Sequence, residues 1–414
     1  MFKYPEFSDE LYGLACECEE ELSYKFKEID DISEENQYKV INAFRNNRVS
    51  ESDFNSASGY GYNETGRDKL EAVYAEIFHT EDALVRNQIT CGTHAIYLAL
   101  SANLLPGDEL LYISGKPYDS LESSIMGGPL SLAEYGVSFN YVELLEERDF
   151  DKEGIRQAVN SRTKIAAIQR SKGYSLRDSM SVSRIGEIAE FIHEIDESII
   201  VFVDNCYGEF VEISEPTDVG ADLMAGSLIK NPGGGLAPSG GYIAGNAKLV
   251  KRCAYKLTAP GLGKEVGISG GVLKSFYQGL SLSPKIVANA VKTAHFLAAL
   301  FEKSGFEAYP ASFEDHACIV EAIKLNTPEN VIKFCTAVQK ASYVDSYLSP
   351  EGWDMPGYND SIIMASGAFI SGSSIELSAD GPLREPYAVY FQGGLTFEHG
   401  KYAALSALNA VIQD

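Results

Sequence analysis

From about residue 83 to residue 250, short apolar runs alternate with segments of helical period. The runs are Ala83–Asn87, Glu109–Ile113, Ser138–Val142, Ile165–Gln169, Ile199–Asp204, Met224–Ile229 and Gly241–Ala244. Helices are predicted at Gly92–Ala102, Asp151–Ala158, Val182–Ile195 and Ala247–Tyr255. Strands that are apolar on both faces must be covered on both faces. The alternation therefore restricts this region to an α/β domain with a mostly parallel sheet of seven strands between helices. Ligands of such sheets bind at the carboxyl ends of the strands.

The flanking regions follow other patterns. Leu11, Leu14, Ala15, Cys18, Leu22 and Phe26 recur at helical spacing, with Ser8 as a candidate cap and Asp9 and Glu10 in the first turn. A second amphipathic run extends from Ser33 to Phe44, and residues 51–66 break the pattern with Ser, Asn, Gly and Tyr. Past residue 280 comes a strong helix at 284–304. It is followed by short strands at Ala317–Ile323, Ser361–Ala365, Ser374–Leu377 and Ala388–Phe391, and by helices at Val331–Ala341 and Thr396–Ile412. This reads as a smaller α+β domain. The expected organisation is a large domain at 51–280, a small one at 281–414, and a helical segment at 1–50 that joins the small domain.

The 414 residues carry 34 basic and 59 acidic side chains, a net charge of −25. That argues against nucleic-acid and anionic-membrane surfaces, which reward clustered Lys and Arg. The start of the chain has no basic-then-apolar leader, and no stretch approaches the ~20 apolar residues that span a bilayer. Seven scattered cysteines without a CxxC pair fit reduced thiols in a cytoplasmic protein.

Two short stretches carry chemistry. Ile199–Asp204 reads as a buried strand with a carboxylate at its carboxyl end. Ser227-Leu228-Ile229-Lys230 places a lysine just before a flexible glycine run, Pro232–Gly235. A buried carboxylate is expensive without a partner. A protonated pyridine nitrogen would be one, and a lysine beside it would form a Schiff base with pyridoxal phosphate. Thr90-Cys91-Gly92-Thr93 follows a strand and opens a helix. Its free amides and the Thr93 hydroxyl suit a phosphate, with Ser227 adding a further hydroxyl. An ordinary strand–helix turn would look the same. A metal reading of Asp204 has only Glu209 nearby to support it, so no metal site is expected. The glycine runs match neither a phosphate-binding Walker loop nor a dinucleotide fingerprint.

Several motifs together resemble a known family. They are Gly59-Tyr60-Gly61-Tyr62-Asn63 with Gly66-Arg67, Cys91–Ala95, Asp204-Asn205-Cys206-Tyr207-Gly208-Glu209, Ser227–Gly235 and Glu376–Arg384. The chain resembles fold-type I pyridoxal-phosphate enzymes of the aspartate-aminotransferase kind. Within them it is similar to the aluminium-resistance group related to cystathionine β-lyase and methionine γ-lyase. The resemblance implies that Lys230 carries the cofactor and shuttles protons, and that Asp204 pairs with the ring nitrogen. Gly92, Thr93 and Ser227 would hold the phosphate. Tyr118 would stack on the ring, although a loop tyrosine packed on the core is the alternative. Tyr60 and Tyr62, with Arg67 nearby, would reach a neighbouring subunit's cofactor, making a homodimer or homotetramer with shared active sites. Arg384 would bind the carboxylate of an amino-acid substrate. It follows Ser378–Pro382, which reads as a turn between strands, and Asp380 is a rival partner for its charge. The sulfur lyases' usual Ser-x-Thr-Lys reads Ser-Leu-Ile-Lys here, without the threonine. The implied activity is β- or γ-elimination at a carbon–sulfur bond. An aminotransferase, racemase or aldolase uses the same cofactor, and a non-catalytic binding protein linked to metal tolerance is a further alternative.

Overall fold

The computed structural model of the chain describes residues 2–354 and 360–413. Seven strands form its larger sheet: β1 (Asp82–Arg86), β2 (Glu109–Tyr112), β3 (Ser138–Tyr141), β4 (Thr163–Gln169), β5 (Ile200–Asp204), β6 (Leu223–Ser227) and β7 (Gly241–Gly245). Their order is β1-β7-β6-β5-β4-β2-β3. Neighbours are parallel except where β7 runs against β1 and β6. This is the mostly parallel α/β sheet that the alternation predicts.

Side chains alternate across β5. Val201 and Val203 join a core with Ile185, Ile188 and Ile192 of the helix Val182–Ile195. Ile200 and Phe202 join the opposite core, with Ala95, Ile96 and Ala99 of the helix Gly92–Asn103. Because consecutive strand residues face opposite ways, one apolar run fills both cores. The register places Gln169 beside Asp204 and Asp204 beside Ala225, so β4, β5 and β6 end close to one another.

A second sheet comprises β8 (Glu307–Tyr309), β9 (Val320–Lys324), β10 (Trp353–Asp354), β11 (Ser361–Ala365), β12 (Ser378–Pro382) and β13 (Ala388–Gln392). It is antiparallel throughout, in the order β8-β9-β13-β12-β11-β10. Two expectations fail here. Ser374–Leu377 is turn-like, and Ser378–Pro382, expected as a turn, is an interior strand. Gly381 and Pro382 looked like turn residues. Gly381 instead permits close packing, since a Cβ there would lie 2.4 Å from Val331 Cγ1 on the covering helix Pro328–Ala341.

The helix Asp9–Glu21 buries Leu11, Ala15 and Cys18 in the core of the second sheet, beside Phe296 and Leu300. The next helix, Ser23–Asn46, sends Val40 and Ala43 to a core of the large sheet. Both cores are spanned by the 30-residue helix Leu273–Glu302, about 45 Å long. Leu273, Phe276 and Leu280 pack on the large sheet, and Phe296, Leu300 and Phe301 on the small one. Pro284 sits inside this helix, and the neighbouring Ser283 Oγ donates to Pro232 O at 2.7 Å.

Candidate active site

A cavity of about 510 Å³ opens at the carboxyl ends of β4, β5 and β6 and is closed from the other side by β9, β12 and β13. Lys230 lies in its wall. The strand before it ends at Ser227, and Lys230 leads into a tight turn, Asn231–Gly233. The glycine run after it was expected to be flexible. It is buried, because this turn is wedged against the long helix. A Cβ on Gly234 (φ +52°) would lie 2.4 Å from Gly279 O, and one on Gly279 would lie 2.1 Å from Gly233 O. Glycine is needed on both sides of that contact.

The Lys230 Nζ stands 3.7 Å from the centroid of the Tyr207 ring. Burial alone would strip its proton. Cys206, Tyr207 and Asp204 outweigh that effect, and its pKa is raised. Cys206 and Tyr207 are themselves pushed up by burial and stay neutral near pH 7. Asp204, the third of these groups, lies at the end of β5. Its Oδ1 accepts from Cys206 N at 3.1 Å, and burial raises its pKa against the pull of Lys230.

Gly92 opens its helix directly opposite. A Cβ there would lie 3.3 Å from Cys206 Sγ, 3.4 Å from Ser227 Cβ and 4.0 Å from Lys230 Nζ. The helix is capped by Cys91, whose Sγ accepts from His94 N at 3.4 Å. Ser227 Oγ is buried and has no hydrogen-bond partner among the described residues. The Thr93 hydroxyl lies 3.1 Å from Tyr118 OH, and Tyr118 N donates to Gln169 Oε1 at 3.1 Å. The structure therefore brings Lys230, Asp204, Gly92, Thr93, Ser227 and Tyr118 to one cavity.

The remaining expected residues are placed differently. Tyr60 and Tyr62 are 72% and 54% exposed, lie with ring centroids 5.5 Å apart and planes tilted by 34°, and do not line their own chain's cavity. Arg67 is buried beneath them, donating to Gly61 O at 2.9 Å and Gly267 O at 3.1 Å. It is a strut between two loops. Arg384 reaches the cavity rim, but its Nη1 donates to Asp360 Oδ2 at 2.8 Å and the side chain is 40% exposed. Asp380 is not its partner. It accepts from Gln392 Nε2 at 3.0 Å and lines the cavity itself, where burial raises its pKa to about 6.

The family model described as methionine gamma-lyase matches residues 12–412. The chain belongs to that family. Among its relatives, the Bacillus subtilis protein YnbB is 47% identical over 417 residues, spanning 100% of this chain and 99% of that one. A Clostridium novyi structure named as a carbon-sulfur lyase involved in aluminium resistance is 45% identical. Its TM-score is 0.94, with 98% of this chain and 96% of that chain covered. A Clostridium acetobutylicum structure, provisionally named a cystathionine beta-lyase involved in aluminium resistance, is 46% identical with a TM-score of 0.95 and coverage of 98% and 96%. The pyridoxal-5'-phosphate dependent protein YhfS of Escherichia coli shares the fold alone, at 17% identity and a TM-score of 0.63 over 93% of this chain and 96% of that one.

Sequence reasoning about this family member missed four cavity residues: Lys172, Arg177, Tyr207 and Asp380. Tyr207 lay inside a motif already singled out, but its left-handed backbone (φ +72°), which aims the ring, leaves no mark in the sequence. Lys172 and Arg177 follow β4 and resemble surface charges until folding buries them.

Proposed function

We propose that this protein is a pyridoxal-phosphate-dependent lyase that breaks a carbon–sulfur bond in an amino acid by β- or γ-elimination. The observation that carries the reading is the convergence of an orphaned Ser227 hydroxyl, the helix opened by Gly92 and the buried Asp204 carboxylate around the Lys230 amine. These residues fit the cofactor. The helix amides, Thr93 and Ser227 would hold its phosphate, Asp204 its ring nitrogen, Tyr118 its ring face and Lys230 its carbonyl carbon. When bound, pyridoxal phosphate supplies an electron sink for negative charge at the substrate Cα.

The chain's own groups do the rest. Asp204, at the end of its strand, would face the ring nitrogen and favour a proton there. Lys230 Nζ takes the α-proton, and its pocket of Tyr207, Cys206 and Asp204 sets how readily it does so. The closing wall of β9, β12 and β13 limits water around the reacting carbon. We extend the reading to a homo-oligomer in which Tyr60 and Tyr62, held out by Arg67, complete a neighbouring copy's site.

Purified protein is expected to show a visible absorbance band that borohydride bleaches, and to release thiol from cystathionine, cysteine or methionine. Keto acid without thiol would move the reading to transamination. A colourless protein that takes up no cofactor would overturn it. Mixing Lys230→Ala subunits with Tyr60→Ala/Tyr62→Ala subunits should restore activity that neither shows alone.

A further inference from the structure

Lys172 and Arg177 are 2% and 9% exposed, and both line the cavity that holds Lys230. Buried cations are ordinarily paired. Among the described residues, neither has a carboxylate oxygen within 4.0 Å. The nearby acids are engaged elsewhere: Asp178 Oδ2 with Arg148 at 2.8 Å, and Glu321 Oε2 with His316 at 2.8 Å. Lys172 Nζ donates to Tyr309 O, across to the small sheet.

Arg177 is held still by backbone. Its Nη1 donates to Asp178 O at 2.7 Å, and its Nη2 to Gln169 O at 2.8 Å and to Ser171 O. Three of the five guanidinium N–H groups are thus used, and among the described residues no carboxylate oxygen lies within 4.0 Å of the charge. Burial lowers the arginine's pKa to about 10, so it stays charged at neutral pH. The anchoring carbonyl of Gln169 belongs to the residue whose Oε1 holds Tyr118, and Gln169 pairs with Asp204. The charge therefore sits at the level of the reacting groups. Arg384 offers the opposite, with an exposed guanidinium already neutralised by Asp360.

We infer that Arg177 is the anion subsite that takes the α-carboxylate of the amino-acid substrate, in place of Arg384. The inference rests on the lyase reading for the identity of the ligand. It defines the substrate class as amino acids with a free carboxylate, because a neutral carboxamide would leave the buried charge unanswered.

The test is calorimetric titration of the cofactor-loaded protein with methionine and with methionine amide, alongside thiol release by the same preparations. Wild type should favour the acid over the amide by roughly 10- to 100-fold, the span of one hydrogen bond to a charged group. Arg177→Gln should erase that preference while keeping the visible band, and Arg384→Gln should keep the preference. If Arg177→Gln fails to fold, Arg177→Lys must show a reduced acid preference with unchanged amide binding. Undiminished acid preference in the Arg177 variants, or its loss in Arg384→Gln, overturns the subsite even where thiol release stands. Acid preference that depends on Arg177 without any thiol release supports the subsite and sinks the lyase reading. A wild type that binds neither compound overturns both.

Discussion

Arg170 and Arg177 leave the same strand end, and both are buried, but their surroundings follow opposite rules. Arg170 donates to Asn205 Oδ1 at 2.7 Å and Glu212 Oε1 at 2.8 Å, with Glu215 Oε2 at 3.3 Å. Arg86 is similar: its Nε lies 2.6 Å from Glu71 Oε1, and Lys264 adds a second cation 3.1 Å from Glu71 Oε2. Around the cavity the pattern reverses. Arg177 and Lys172 face no carboxylate within 4.0 Å among the described residues, and Ser227 Oγ and Asp380 Oδ1 have no hydrogen-bond partner. A fold can bury charge cheaply where it supplies the counter-charge. Where it withholds one, a ligand can supply the missing counter-charge.

This contrast can be broken by substitution. The largest effect is expected at Lys230. Lys230→Ala should lose the visible band and cut thiol release by at least about 10³-fold, since among the described residues no other amine stands over Tyr207. Arg170→Met strikes the paired region and should destabilise the fold by about 3–5 kcal/mol in denaturant titrations, because it strands Glu215 and Glu212. An unchanged midpoint would show that these pairs are not structural.

Asp380→Asn should do the reverse. In the folded chain its pKa is raised from 3.8 to about 6, so the native state binds the proton more tightly than the unfolded chain. Stability should therefore fall as pH rises from about 4 to about 6. The asparagine variant should lose that slope and gain about 2–3 kcal/mol at pH 7. A destabilised variant with the slope intact would place Asp380 with the structural charges. The smallest effect belongs to Ser227→Ala. It should weaken uptake of pyridoxal phosphate about 10-fold, with no loss of stability in the cofactor-free protein, where the hydroxyl has no partner among the described residues.

What could be read in the sequence was local. The β5 run ending in Asp204, the lysine after β6 and the glycine that opens a helix are each contiguous patterns with a physical meaning. The large sheet follows from the same alternation. What escaped was decided by distant contact. Gly381 and Pro382 look like turn formers until the helix that packs over them is in place. The sequence offers Asp380 as a rival partner for Arg384, whereas the arginine's partner Asp360 is brought next to it by the pairing of β11 with β12. Tyr60 and Tyr62 were expected at a neighbouring copy's site, and they do not line the cavity of their own chain.

The wedge between the lysine turn and the long helix has a mechanical consequence. Ser283 ties Pro232 to the helix next to its internal proline, and Gly279 locks against Gly233 and Gly234 one turn earlier. Prolines are where helices bend, because one rung of the hydrogen-bond ladder is absent. One half of this lever is embedded in each core, and Lys230 is fastened beside its fulcrum. The lysine turn is thus moored to the long helix at the one place where that helix lacks a rung, and both cores meet their common beam there.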